Sequence, residues 1–109
     1  MIARSLCATV AAAAVAACTA PYHPVTPDQV RVAAARFPGS SRDTLEKGRL
    51  LTLSHCSRCH RAFEPTEFRA DAWPRLVAEM RKGAGLDREE EALIVRYLVT
   101  ASESTSKKL

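Results

Sequence analysis

Cys56-Ser57-Arg58-Cys59-His60 is the stretch on which the reading of this chain turns. Two thiols stand one helical turn apart, and an imidazole directly follows the second. A C-x-x-C-H run is the attachment signature of a covalently held haem. The spacing suits thioether bonds from Cys56 and Cys59 to the two haem vinyl groups, and it aims His60 at the iron as proximal ligand. Two other readings compete. A thiol-disulfide pair lacks the βαβ surroundings in which such redox motifs occur. A zinc site would crowd His55, Cys56, Cys59 and His60 into one short run, which cannot easily surround a tetrahedral ion.

The N-terminal side has the pattern of an export signal. Arg4 precedes an apolar stretch from Leu6 to Ala17 that is too short to span a bilayer as a helix. It ends in Val15-Ala16-Ala17-Cys18, similar to a bacterial lipobox, in which the cysteine is acylated and becomes the new N-terminus. The alternative is an ordinary signal cut near Ala17 or Ala20. The expected organisation is therefore a lipoprotein signal peptide over 1–17, a tether over 18–26, a domain over 27–101 and a polar tail over 102–109. Removing the signal takes away Cys7, and acylation occupies Cys18. Cys56 and Cys59 are then the only cysteines to account for. Export also places the pair in an oxidising compartment, where c-type haem is attached and idle thiols tend to form disulfides.

The 109 residues carry 16 basic and 12 acidic side chains, a formal charge of +4, and signal cleavage removes one of the basic residues, Arg4. This mild charge suits docking to acidic partner surfaces. The basic residues are scattered and have no set of stacking aromatics beside them, so no nucleic-acid partner is expected. A core built from about 70 residues is marginal by itself. A large apolar cofactor would supply the missing interior.

Helical signals fill the rest of the chain. Thr26-Pro27-Asp28-Gln29 reads as a cap, a proline in the first turn and a capping box, followed by Val30, Ala33, Ala34 and Phe37, with Pro38-Gly39 as the stop. Asp43 with Glu46 predicts a second box, opening a helix that turns Leu45 and Leu51 inward, with Leu50 and Leu53 as further candidates, and runs into Cys56. Residues 61–70 read as a loop. Asp71 is the expected cap of a third helix, which carries Trp73, Leu76, Val77 and Met80 as one apolar stripe and stops at Gly83 and Gly85. Asp87 with Glu90 opens the last helix, with Leu93, Ile94, Tyr97, Leu98 and Ala101 on one face and Glu89–Glu91 as a solvated first turn. No segment alternates convincingly as a strand and no internal repeat appears. The expected fold is all-α, about four helices around one covalently attached haem.

In this setting residues 40–101 resemble a small monohaem cytochrome c domain. The resemblance rests on Gly48 eight residues before Cys56, on the Cys56–His60 run, and on Tyr97-Leu98 in the last helix, similar to the aromatic-leucine pair that crosses the family's glycine. The helix with Trp73, Val77 and Met80 resembles that of a compact branch of such domains. There are departures: Thr52 stands where an aromatic is frequent, the connection to the last helix is short, and a lone Pro65 replaces the usual glycine-proline loop. The resemblance implies a compact fold on one haem c.

Met80 is the candidate sixth ligand. It is the sole methionine beyond the signal, and its thioether would set a higher potential than a second imidazole. The alternatives are a core methionine beside the haem edge, His23 folding back from the tether, or an open site. His55, adjacent to Cys56, is expected to be exposed. Pro65 is a candidate to orient the His60 ring through its carbonyl. Trp73 is a candidate for haem packing or for donation to a propionate. Arg58, Arg61, Arg75 and Lys82 are candidates for propionate pairing or docking. No catalytic constellation stands out. The function expected is a periplasmic one-electron carrier, free-standing or serving as the haem subunit of a dehydrogenase. It would be loaded by haem maturation machinery and tethered through Cys18, with the outer membrane favoured by Thr19. A ligand-binding or sensory haem protein with an open sixth position is the main alternative, and a thiol-disulfide protein a lesser one.

Overall fold

The computed structural model describes residues 23–57, 61 and 63–106. The signal, Cys18, Arg58, Cys59 and His60 lie outside the described residues. Within them the chain is all-helical and contains no strand: α1 (Pro27–Arg36), α2 (Arg42–Leu51), α3 (Trp73–Ala84) and α4 (Arg88–Ser106). None of these helices is long and apolar enough to cross a membrane.

Two of the four predicted helix starts form as read. The Thr26 hydroxyl accepts from Gln29 N at 3.2 Å while Gln29 Oε1 accepts from Thr26 N at 3.0 Å. Asp87 and Glu90 make the same reciprocal pair at 2.8 and 3.1 Å. The other two differ. α2 begins two residues early, capped by Ser41, whose Oγ accepts from Thr44 N, while Thr44 Oγ1 accepts from Ser41 N. The expected Asp43–Glu46 box does not form because Glu46 has other partners: Val25 N–H at 2.9 Å and Arg49 Nε at 2.7 Å. Asp71 does not cap α3. It lies in a 3₁₀ turn, Ala70–Ala72, and pairs with exposed Arg69. That turn leads the chain straight into the helix, with Pro74 in its first turn. Gly83 sits inside α3, and Gly85 alone ends it, in the left-handed conformation at φ +69° that favours glycine.

α4 is the centre of the fold and packs against α1, α2 and α3. Leu45, Ala33, Trp73, Val77, Ile94, Tyr97 and Leu98 form the core. The closest approach is at Gly48. A Cβ there would overlap the Leu93 carbonyl oxygen and stand 2.9 Å from Tyr97 Cβ. The predicted crossing of this glycine by the Tyr97-Leu98 segment is thus a backbone-to-helix contact that only glycine permits. Leu51 and Leu53 are half-buried, and Leu50 points outward, 55% exposed.

Both ends of the expected domain extend further than the sequence suggested. Val25, assigned to the tether, is buried; its N–H donates to Glu46 and its carbonyl accepts from Arg42 at 2.6 Å. The chain is therefore fastened to α2 before α1 begins. The expected polar tail is helical through Ser106, and Ser102 and Ser104 are buried. Their hydroxyls make this possible: Ser102 Oγ donates to Phe68 O and Ser104 Oγ to Ala101 O. A buried hydroxyl with an acceptor escapes most of the cost of leaving water.

Gly48→Ala should destabilise the protein by roughly 2 kcal/mol in denaturant melts, because overpacking against rigid backbone outweighs the ~1 kcal/mol gain in helix propensity. Equal or greater stability would contradict the crossing. Glu46 also predicts a pH dependence. The Val25 N–H, and then Arg49, hold its carboxylate below the ordinary 4.5. Its contribution to stability is complete above pH 4.5 and is lost as pH falls through the depressed folded value. Glu46→Gln should therefore lose less stability than the parent on acidification, as read from unfolding curves at neutral and acidic pH.

Candidate functional site

α2 does not end as an ordinary helix. It widens at Thr52 into a π-helical turn, Thr52–Cys56. The local sequence explains how this is tolerated. Thr52 Oγ1 donates to Gly48 O at 2.7 Å, Ser54 Oγ to Leu51 O at 3.2 Å, and Ser57 Oγ to Leu53 O. Hydroxyls thus serve carbonyls through the transition, a role that Thr and Ser take readily in helices. Such π turns concentrate at functional sites, and this one carries His55 and Cys56.

The Cys56 side chain is half-buried and lines a hollow of about 160 Å³ together with His55, Val77, Met80, Ala84 and Leu86. The lining is almost wholly apolar. Cys56 and Met80 come from different elements, so the fold alone brings these two residues to one cavity. Burial pushes the Cys56 thiol above its ordinary value. It rests as S–H at neutral pH, unlike the depressed thiols of disulfide exchange proteins. The apolar lining, with Cys56 and Met80 on it, is chemically of the kind that would face a haem. The hollow is smaller than the about 300–1,000 Å³ usual for cofactor clefts; residues 58–60, next to Cys56 in sequence, are outside the described residues.

Trp73 is buried, and its indole N–H donates to Pro65 O at 2.9 Å. Trp Nε1–H is the indole's one donor, so donation to a propionate is replaced by a brace between α3 and the loop that follows the Cys-x-x-Cys-His run. Phe68 packs edge-on against Trp73 with centroids 5.2 Å apart, and Phe63 edge-on against Phe68 at 5.5 Å. Trp73 stands one helical turn before Val77 and supports the hollow's wall without lining it. His23 lines a different and more polar crevice with Pro65 and Tyr97, away from Met80.

Of the basic candidates, Arg61 forms two hydrogen bonds to Glu67, at 2.6 and 3.1 Å, and lies 5.1 Å over the Phe63 ring. Those bonds hold the exposed Glu67 carboxyl below its ordinary value. Arg75 pairs with Glu79 at 2.7 Å, and Lys82 is exposed. His55 departs from expectation. It is half-buried, with Nδ1–H donating to Ala84 O at 3.2 Å and Nε2 lying 3.4 Å from Glu90 Oε2. Glu91 likewise pairs with Arg81 at 3.3 Å, so two of the three glutamates read as a solvated first turn have partners. No local pattern points to His55, because both its partners lie about thirty residues ahead.

A helical body that brings Cys56, the first residue of a Cys-x-x-Cys-His run, to an apolar hollow also lined by Met80 has features expected of a c-type cytochrome. Residues 52–108 match the family model described as dihaem cytochrome c, and the chain belongs to that family. The family is thus the dihaem one, where the sequence resembled a monohaem domain, although the chain itself contains a single Cys-x-x-Cys-His run. No curated protein and no solved structure matches it significantly.

Trp73→Phe keeps the ring contact with Phe68 but orphans the buried Pro65 carbonyl. It should cost about 1–3 kcal/mol in equilibrium unfolding. An unchanged midpoint and slope would remove the brace from this account.

Proposed function

We propose that this chain carries one haem c, bonded to Cys56 and Cys59, with His60 as proximal and Met80 as sixth ligand, and relays single electrons between protein partners in the bacterial periplasm. The observation that carries the reading is that Cys56 and Met80 line one apolar hollow. One haem follows from one attachment run.

Haem supplies reversible one-electron exchange at iron. The residues of this chain do the rest. Val77 and Leu86 keep water from the hollow. Trp73 and Pro65 brace the wall behind it, and the Trp73 ring supports haem packing from there. Pro65 spends at least one lone pair on Trp73, and its second is the one available to the His60 ring. A thioether from Met80, in place of a second imidazole, sets the potential higher.

Around this centre we place the remaining roles. Cleavage before Cys18 and its acylation tether the domain to a membrane, with the outer membrane favoured. The net positive charge steers the domain to redox partners with acidic docking surfaces. Haem maturation machinery loads it after export, and a dehydrogenase is a natural partner for which it would serve as the haem subunit.

Met80→Ala tests the ligand assignment. The holoprotein should lose the near-infrared band of methionine-ligated ferric haem, fall in reduction potential, and open to imidazole or CO. Unchanged potential and unchanged ligand access would remove Met80 from the iron and favour an open or differently ligated site.

A further inference from the structure

His55 has no part in the function proposed above, yet it is half-buried and hydrogen-bonded to the end of α3. It is the last residue before Cys56, on the π-helical turn that leads into the attachment run. Its Nδ1 lies 3.2 Å from Ala84 O. A carbonyl can only accept, so Nδ1 carries the hydrogen. Ala84 is the last residue of α3, and its carbonyl belongs to the final turn, whose carbonyls lack partners within the helix. Ala84 also stands four residues after Met80, on the same helical face, and both line the hollow.

The other edge of the ring faces Glu90 Oε2 at 3.4 Å. Glu90 is itself fixed, because its Oε1 accepts from Asp87 N at 3.1 Å in the capping box of α4. The imidazole therefore ties the turn that carries Cys56 to the end of the helix that carries Met80, with the start of α4 lying beside its other edge. The side chain is only 17% exposed, so the hydrogen bond to Ala84 is formed largely out of water, where it is stronger.

We propose that His55 is a positioning residue that sets the separation between the haem-attachment turn and the Met80 turn of α3, and so holds the Met80 thioether at bonding distance from the iron. This rests on the haem reading above. His55 itself would not ligate. An iron–thioether bond is weak enough that slack between its two supports opens the sixth position to competitors, and a bracket across the corner removes that slack.

The test uses the mature holoprotein of the parent and of three variants, with imidazole as the probe. His55→Leu keeps an apolar wall and removes both contacts. His55→Gln restores a donor for Ala84 O. Glu90→Gln keeps an oxygen for the α4 cap and removes the charge beside the ring. His55→Leu should bind imidazole about five-fold more tightly than the parent, the scale of one lost hydrogen bond, with a weakened methionine band and a lower potential. His55→Gln should recover most of the band, and Glu90→Gln, which leaves the Ala84 hydrogen bond in place, should stay close to the parent. A His55→Leu holoprotein with the parent's band, potential and imidazole affinity would overturn the inference. If His55→Leu is not recovered with haem, His55→Ala takes its place: a raised imidazole affinity upholds the Ala84 tie and an unchanged one overturns it. A parent protein that lacks the methionine band fails the ligand reading itself, and this inference with it, before any variant is compared.

Discussion

The approach of α2 to α4 at Gly48 is the constraint on which the rest of the structure depends. With no Cβ at that point, the backbone of α2 comes against Leu93 O and Tyr97 Cβ. Leu45 from α2 and Ile94 and Leu98 from α4 belong to one buried core. The crossing also fixes where α2 points when it leaves the core. Eight residues beyond the crossing stands Cys56. A looser crossing would swing that cysteine away from α3 and separate it from Met80.

The π-helical turn converts this placement into a site. A continuous α-helix would spread successive side chains at its ordinary period. The wider turn re-aims His55 and Cys56 together toward the end of α3. Hydroxyls from Thr52, Ser54 and Ser57 take up carbonyls along the way, so the distortion is paired within the chain. On the far side, the Trp73–Pro65 hydrogen bond ties α3 to the loop after the attachment run. The hollow is thus bounded by elements anchored independently to α4. That rigidity matters for electron transfer, because a centre whose ligands stay in place in both oxidation states reorganises little.

Much of this was legible in the sequence wherever its cause was local. The boxes at Thr26 and Asp87 involve residues three apart, and both form. The α3 stripe follows from helical period, and Trp73 and Val77 are buried as read, with Leu76 and Met80 half-buried. Tyr97 as the partner of Gly48, half the chain away, was legible only through a family resemblance. What the pattern did not disclose depends on distant partners. Glu46 fits a capping box equally well on paper, but Val25 N–H, twenty-one residues back, claims it and leaves the cap to Ser41. Ser102 looks like the start of a frayed tail until Phe68 O is placed beside it. His55 looks like an exposed neighbour of a cysteine until Ala84 and Glu90 close around it. For the site itself, the Cys-x-x-Cys-His spacing states its chemistry outright, whereas the shared cavity of Cys56 and Met80 is a product of the fold.

The account's central claim is one covalent haem on the Cys56–Cys59 pair. It is tested most directly by the intact mass of the denatured protein, exported alongside a c-haem maturation system. The account predicts a chain heavier by the mass of one haem, retained under denaturing conditions. A chain at its polypeptide mass would contradict the haem reading and return Cys56 and Cys59 to a disulfide or thiol role, and a chain carrying two haems would contradict the assignment of a single site.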